Sequence, residues 1–122
     1  MLSVVNIGQK LSGIRDHWQP QIVGAINDFH VKLVRISGSF IWHHHETEDE
    51  LFLVISGKLL MHHRNEAGNE NVTAVSPGEF VIVPHGMEHM PVAEGEVHLM
   101  LLEPATTVNT GNIRNERTYI PV

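Results

Sequence analysis

Apolar and polar side chains alternate along most of this chain with the two-residue period of β-strands. Short runs rich in Val, Ile, Leu and Phe are separated by Gly, Asn and Ser, residues that favour turns. About eight or nine short strands at such regular spacing are typical of a sandwich or barrel, so we predict an all-β fold. The runs predict strands at 21–26, 29–37, 40–45, 51–55, 58–64, 72–75, 79–84 and 96–102.

A helix is predicted only near the N-terminus. Ile7, Leu11 and Ile14 have the spacing of one helical face, and Asn6 is a suitable N-cap. Pro20 disfavours helical backbone just before it. We therefore predict one short N-terminal helix over 6–14.

Two segments have few apolar residues. Residues 65–71 (NEAGNEN) are polar and predict an exposed loop. Residues 103–122 are rich in Thr and Asn, with apolar residues near the end. This C-terminal segment is consistent with an arm packed on the sheet, an extra edge strand or a partly mobile tail.

Length and composition indicate one globular domain over 1–122. A chain of 122 residues with 42% apolar residues can form one core but not two. The formal net charge of −6 argues against a nucleic-acid surface, which needs clustered Lys and Arg. The absence of Cys excludes disulfides, thiolate zinc sites and Cys nucleophiles.

Targeting and membrane signals are not found in the sequence. The N-terminus has neither the basic start nor the apolar stretch of a signal peptide. No apolar run approaches the roughly 20 residues needed to cross a bilayer. We therefore predict a cytoplasmic protein without a membrane segment.

Ten histidines are many for a chain of this size, and three of them are consecutive. Because strand residues alternate between faces, His43 and His45 point the same way and His44 points the opposite way. Two imidazoles on one face of a strand can coordinate the same metal ion. Taken alone, the triplet is equally consistent with a polar, exposed strand.

Two further segments extend this pattern. Glu50 follows His45 after four residues, and Gly57 follows Glu50 after six. Downstream, the segment 78–89 contains a Gly, five residues, a Pro-x-Gly, two residues and His89. These spacings resemble the two motifs of the cupin superfamily, G(X)5HXH(X)3–4E(X)6G and G(X)5PXG(X)2H(X)3N. Only two non-ligand positions differ: Gly38 stands one residue too close to His43, and Ala93 replaces the final Asn.

The resemblance covers 38–57 and 78–93. It implies a small single-domain bacterial cupin of the cupin_2, mannose-6-phosphate-isomerase-like type, with a double-stranded β-helix or jelly-roll barrel. It also implies one divalent metal ion on four side chains. Three imidazoles and one carboxylate suit Fe, Mn, Ni, Zn, Co or Cu and leave two positions of an octahedral ion open. The implied ligands are His43, His45, Glu50 and His89.

The substrate pocket is predicted from the same alternation. Ile41 shares the face of His43, and Phe52 shares that of Glu50, whereas Val54 is expected to be plain core. Among the other histidines, the face of His98 stays undecided and His17 and His30 belong to no motif. Surface positions are expected for His44, His62, His63 and His85. Four charged residues are also expected to be solvated: Lys32, Arg35, Glu103 and Arg117.

The resemblance does not by itself specify a function, because cupins include enzymes, sugar-binding regulators and storage proteins. The favoured hypothesis is a metal-dependent dioxygenase or isomerase acting on a small organic molecule. The alternative is a non-catalytic module that binds a small ligand or a metal. A structural metal is least favoured, because structural zinc sites are usually Cys-rich. Unpaired strand edges also predict a homodimer, in which sheets pack or terminal strands are exchanged. The competing outcome is a monomer whose terminal segments fold back onto its own barrel.

Overall fold

A computed structural model describes residues 2–121. Within them, one short helix is followed by seven strands, so the predicted all-β class with an N-terminal helix is confirmed. No helix in this range is long and apolar enough to cross a membrane. The elements are α1 (Ile7–Ser12), β1 (Gln21–Ile26), β2 (Phe29–Ser39), β3 (Glu50–Ser56), β4 (Leu59–Arg64), β5 (Glu70–Val75), β6 (Phe80–Val83) and β7 (His89–Pro104).

Helix α1 is capped by Asn6, as predicted. The side-chain oxygen of Asn6 accepts a hydrogen bond from the backbone N–H of Gln9 at 2.9 Å, which caps the helix. Gly13 ends it earlier than predicted. Leu11 and Ile14 are buried against the outer face of the sheet, where Leu33 is completely covered.

Strand β7 is the centre of an antiparallel sheet. Strand β2 pairs along one of its edges, while β3 and then β4 pair along the other. Strands β1, β6 and β5 add to β2, β3 and β4 respectively. Gly57 joins β3 to β4 at φ +81°, and a Cβ there would lie 2.7 Å from the Glu96 carbonyl oxygen. Only glycine therefore permits this approach to β7.

The core lies between the two halves of the sheet. Side chains from six strands pack into one buried cluster, each contributing about 1.5–3 kcal/mol when fully buried. The cluster consists of Val34, Ile36, Phe52, Val54, Leu59, Met61, Val75, Val83, Ala93, Val97, Leu99 and Leu101.

The sheet in residues 2–121 is not a closed barrel, which corrects the prediction. Strands β1, β5 and β6 each pair on one side only. The predicted strand 40–45 is not a regular strand and forms a single bridge, between His43 and His89. Because one bridge replaces a ladder, this segment does not join the edges of the sheet.

Two other strands differ from prediction because their patterns are atypical. Strand β7 begins at His89 instead of 96, since the exposed residues 94–96 interrupt its alternation at a bulge opposite β2. Strand β5 begins at Glu70, inside the predicted loop, because all but its last residue are exposed.

The C-terminal arm, residues 105–121, packs back onto the sheet of its own chain, as one of the three alternatives predicted. The backbone N–H of Asn112 donates to the His44 carbonyl at 3.0 Å, and Thr110 is completely buried. The Tyr119 hydroxyl accepts a hydrogen bond from Gln21 at 3.0 Å. Val122 lies outside the described residues.

Candidate metal centre

The segment 40–45 is held against the start of β7 by its backbone. The N–H of His43 donates to the carbonyl of His89 at 3.0 Å, and the N–H of His89 donates back at 2.9 Å. A turn follows Pro84, with Gly86 at φ +81° and its N–H donating to the His45 carbonyl at 2.7 Å. These bonds bring two distant parts of the sequence to one point.

The four side chains singled out by the motifs meet at this point. His43, His45, Glu50 and His89 each offer a ligand atom, and these atoms all lie within 4.8 Å of one another. All four residues are buried, with exposed fractions of 1–4%. Glu50 Oε1 lies 2.8 Å from His45 Nε2 and 3.3 Å from His89 Nε2.

Three buried atoms of the cluster have no hydrogen-bond partner among the described residues: His45 Nε2, Glu50 Oε1 and His89 Nε2. Buried polar atoms normally have a partner, and leaving one without costs free energy. Converging nitrogen and oxygen donors of this kind fit a divalent transition metal ion. The cluster can therefore hold a metal.

Backbone carbonyls orient two of the imidazoles. His43 Nδ1 donates to the Ile41 carbonyl at 2.9 Å, and His89 Nδ1 donates to the Met87 carbonyl at 2.9 Å. Each bond fixes the tautomer and leaves Nε2 free to face the cluster. Such outer contacts are typical of metal-binding histidines.

The electrostatics favour the metal-binding protonation states. Burial, with a smaller effect from His89, lowers the pKa of His43 to about 4, so its imidazole is neutral at neutral pH. Burial opposes ionisation of Glu50, but the Glu103 carboxyl group and the adjacent imidazoles of His45 and His89 outweigh it and hold its pKa well below the usual range.

A small cavity of about 50 Å³ adjoins the cluster and is mostly apolar. Phe52 is among the residues that line it. Ile41 is not among the lining side chains, and Phe40 lines the cavity instead. The alternation from Ile41 to His43 does not hold, because this segment is not a regular strand. Val34, Ile36, Leu99 and Leu101 form much of the remaining wall.

Two charged residues predicted to be solvated are buried inside the sheet instead. Lys32 and Glu103 are 2% and 3% exposed, and Lys32 Nζ donates to Glu103 Oε1 at 2.8 Å. Burial and the neighbouring Glu50 raise the pKa of Glu103 well above its usual range, against the opposing effect of Lys32. The missed signal was alternation, since Lys32 shares a face with Val34, and Glu103 shares one with Leu101.

The other two charged residues are partly exposed. Arg35 donates to both carboxylate oxygens of Glu96, at 2.8 and 2.9 Å. The guanidinium of Arg117 lies 4.7 Å from the ring centroid of Phe40 and 5.5 Å from that of Trp18. Since Phe40 and Trp18 line the cavity, Arg117 braces one of its walls from outside.

His44 points away from the cluster, as predicted. Its ring nitrogens lie 2.7 Å from Glu46 and 3.1 Å from Glu88. These hydrogen bonds raise the pKa of His44, and the bond to Glu46 has the larger effect. His85 is exposed beside Asp49. His98 lies on the outer face, because β7 buries Leu99 and Leu101 on its inner one.

This architecture defines an open, antiparallel β-fold with a buried three-histidine, one-carboxylate cluster at a small cavity. A family model described as "Cupin_2: Cupin domain" matches residues 31–104. The chain therefore belongs to the cupin superfamily, as its motifs predicted.

Three relatives illustrate the family. An uncharacterized protein of Bacillus subtilis, YdbB, is 30% identical over 67 residues, 55% of this chain and 56% of that protein. The match thus spans about half of this curated relative. A cupin-2 domain protein of Shewanella frigidimarina has a solved structure with TM-score 0.77 and 36% identity, covering 83% of this chain and 94% of that one. The protein NMB1881 of Neisseria meningitidis has TM-score 0.72 and 27% identity, covering 84% and 99%.

More distant solved structures share the fold alone. A hydroquinone 1,2-dioxygenase from Sphingomonas has TM-score 0.73 at 17% identity, covering 82% of this chain and 32% of that one. An oxalate oxidase has TM-score 0.57 at 20% identity, covering 64% and 42%.

Proposed function

We propose that this cupin binds one divalent transition metal ion on His43, His45, Glu50 and His89 and acts as a metal-dependent enzyme on a small organic molecule. The observation that carries the proposal is the convergence of unpartnered, buried donor atoms on one point beside a cavity. Fe, Mn, Ni, Co, Cu and Zn all suit this donor set.

Different residues of the chain would hold the ion, orient its ligands and exclude water. The three imidazoles and the Glu50 carboxylate would hold the ion, which supplies Lewis-acid or redox chemistry when bound. The carbonyls of Ile41 and Met87 would fix the orientation of His43 and His89. The apolar wall around Phe52 would keep bulk water from a ligand at the centre.

A dioxygenase or isomerase type of reaction is the form of activity that we propose. It is supported by four ligands, which leave two positions of an octahedral ion for ligand or dioxygen. It is also consistent with the presence of dioxygenases and oxidases among proteins of this fold. The competing function is a non-catalytic binding module, which the small cavity of about 50 Å³ favours, since typical ligand sites measure about 300–1,000 Å³.

Metal analysis followed by activity screening tests the proposal. Protein purified without a nickel column should contain about one divalent ion per chain, or take one up when Mn(II), Fe(II) or Zn(II) is added. The loaded protein is then screened for oxygen uptake and for isomerised products with small diketones, catechols and sugars. Protein that takes up no metal refutes the site. A 1:1 metal complex inert to the whole panel favours the binding module.

We further propose a homodimer, as the sequence predicts. Support comes from the edge strand β6, on which Phe80 and Ile82 are 59% and 54% exposed, and from the exposed Leu2 and Val4. The cytoplasmic location stays a prediction from the sequence.

A further inference from the structure

The cavity beside the candidate metal centre is small for the organic molecule that we propose it binds. It measures about 50 Å³, whereas sites for such molecules measure about 300–1,000 Å³. Much of its wall consists of core side chains on strands, such as Val34, Leu99 and Leu101, which are 1–6% exposed. Because a close-packed core yields little, a part of the wall outside the sheet has to move when a ligand enters.

Trp18, which precedes β1, lies between this cavity and a second, outer pocket. The outer pocket measures about 210 Å³, and Trp18 lines both spaces. No other described residue lines both, and two further surface pockets share no lining residue with the inner cavity. The outer pocket is otherwise lined by His17, Gln19, Glu116, Arg117, Thr118 and Tyr119. Trp18 is therefore part of the partition between the inner cavity and the outer pocket.

One aromatic side chain separates the Trp18 ring from the candidate metal centre. The Trp18 ring stacks on Phe40, with the ring centroids 4.8 Å apart and the planes 20° from parallel. Phe40 in turn meets the His43 imidazole edge-on, at 5.5 Å between centroids. Because His43 and Glu50 also line the inner cavity, a molecule that passes Trp18 reaches the candidate ligands.

Few contacts hold the Trp18 ring in place. Its Nε1 donates a hydrogen bond to the Ser37 carbonyl at 2.9 Å, and the side chain is partly exposed. The Arg117 guanidinium lies 5.5 Å from the ring centroid. The backbone is held separately, because the Trp18 N–H donates to the Arg35 carbonyl at 2.9 Å. Rotation of the side chain would therefore break one hydrogen bond and two ring contacts and leave the main chain in place.

We propose that the Trp18 side chain is a gate, which turns aside to admit a small molecule from the outer pocket to the candidate metal centre. The gate selects molecules by size, because a larger molecule needs a wider opening of the partition. The proposal rests on the proposed metal site and adds to it the point of entry and the residue that controls entry.

Two probes of different size measure passage through the gate. Acetohydroxamate and benzohydroxamate chelate a metal through the same two oxygens and differ by a phenyl group in place of a methyl. Each is mixed with Co(II)-loaded protein in a stopped-flow instrument, and the visible absorption of the ion gives the association rate constant and the Kd. Metal loading is measured separately by elemental analysis, so failure of the metal site is distinguished from failure of the gate.

The variants separate the gate from other effects of changing an aromatic residue. Trp18→Leu removes the hydrogen bond and the ring, whereas Trp18→Phe removes the hydrogen bond and keeps a ring. Trp42→Leu is the matched control, because Trp42 also lies against a guanidinium, that of Arg64 at 3.7 Å, but is not among the residues that line the cavity. Phe52→Leu enlarges the cavity at a wall that is not shared with the outer pocket.

Trp18→Leu should raise the association rate constant of benzohydroxamate about tenfold, because the hydrogen bond and the stacking that oppose opening are lost. The rate constant of acetohydroxamate should rise less. Trp18→Phe should raise that of benzohydroxamate about fivefold, the effect of one hydrogen bond. Trp42→Leu should leave both rate constants within twofold of wild type, and Phe52→Leu should change Kd without raising them.

A rise of less than threefold for benzohydroxamate in Trp18→Leu overturns the proposal, and so does an equal rise in Trp42→Leu or Phe52→Leu. If Trp18→Leu does not fold, the more conservative Trp18→Phe decides by the same threshold. Wild type that binds no Co(II) fails at the metal site, and this proposal falls with it.

Discussion

His44 and His45 are adjacent and chemically identical but face opposite sides of the chain, which makes them a matched pair for testing the candidate metal centre. His45 Nε2 is buried, unpartnered and 2.8 Å from Glu50 Oε1. His44 instead contacts Glu46 and Glu88 near the surface. Replacing His45 by Ala should remove a ligand, whereas replacing His44 by Ala should leave all four in place.

The effect can be expressed as a shift in thermal stability. At a free metal concentration 100 times the wild-type Kd, binding to the native state adds about 2.7 kcal/mol to the free energy of unfolding. For a domain of 122 residues this raises Tm by about 10 °C. Loss of a hydrogen bond that orients a metal ligand costs about 10–100-fold in metal affinity. Loss of the ligand itself should therefore cost at least about 100-fold. At the same metal concentration the gain then falls to about 0.4 kcal/mol, or about 1–2 °C.

The assay is a thermal melt of each protein with and without added metal, followed by circular dichroism. His44→Ala should keep the full metal-induced shift of about 10 °C, although its apo Tm can drop slightly because exposed ion pairs contribute about 0–1 kcal/mol. His45→Ala should lose nearly all of the shift. Equal loss in the two variants would refute the orientation of this segment and, with it, the assignment of His45 as a ligand.

Three further predictions test the arm, the surface and the assembly. Gly111→Ala should destabilise the fold by more than the approximately 1 kcal/mol of a positive φ, because its Cβ would overlap the His44 carbonyl oxygen; Gly68→Ala, also at positive φ but with open space, is the control in urea melts. Glu96, whose pKa is lowered to about 2 by His17, His98 and Arg35, should add stability above about pH 4.5 that is lost as the pH falls towards 2. Melts of wild type and Glu96→Gln should therefore converge at the acid end, and a constant difference would contradict this. Sedimentation at micromolar concentration should give twice 13.7 kDa, and a monomer mass would reject the dimer.

The local pattern of the sequence predicted most of the strands and gathered the four cluster residues. Alternation predicts side-chain direction reliably where one face of a strand is buried and the other is more exposed. In β3, for example, Glu50, Phe52 and Val54 point inward. Motif spacing then related distant segments, which alternation alone cannot do. The same reasoning failed for segment 40–45, because a segment held by one bridge is not bound to the pleat of a strand.

The predicted exposure of two charged side chains was also wrong. Lys32 and Glu103 were expected in solvent, because charged side chains are rarely buried. Their burial depends on each other, and the two residues are 71 positions apart in sequence. No local pattern contains the information that a cation on β2 will meet a carboxyl group on β7. The pair is therefore apparent only when the register of the two strands is known.

The residues that close the cavity lie partly outside the region matched by the family model. That region ends at residue 104, but Asn109 of the C-terminal arm and Trp18 and Pro20 before β1 also line the cavity. Trp18 adopts φ +64°, a strained conformation for a bulky residue, and its backbone N–H is held by the Arg35 carbonyl at 2.9 Å. The motif residues thus form the candidate metal centre, whereas both ends of this particular chain help to determine the shape of the space beside it. Ligand choice should consequently change when these ends are exchanged between cupins, while metal binding should not.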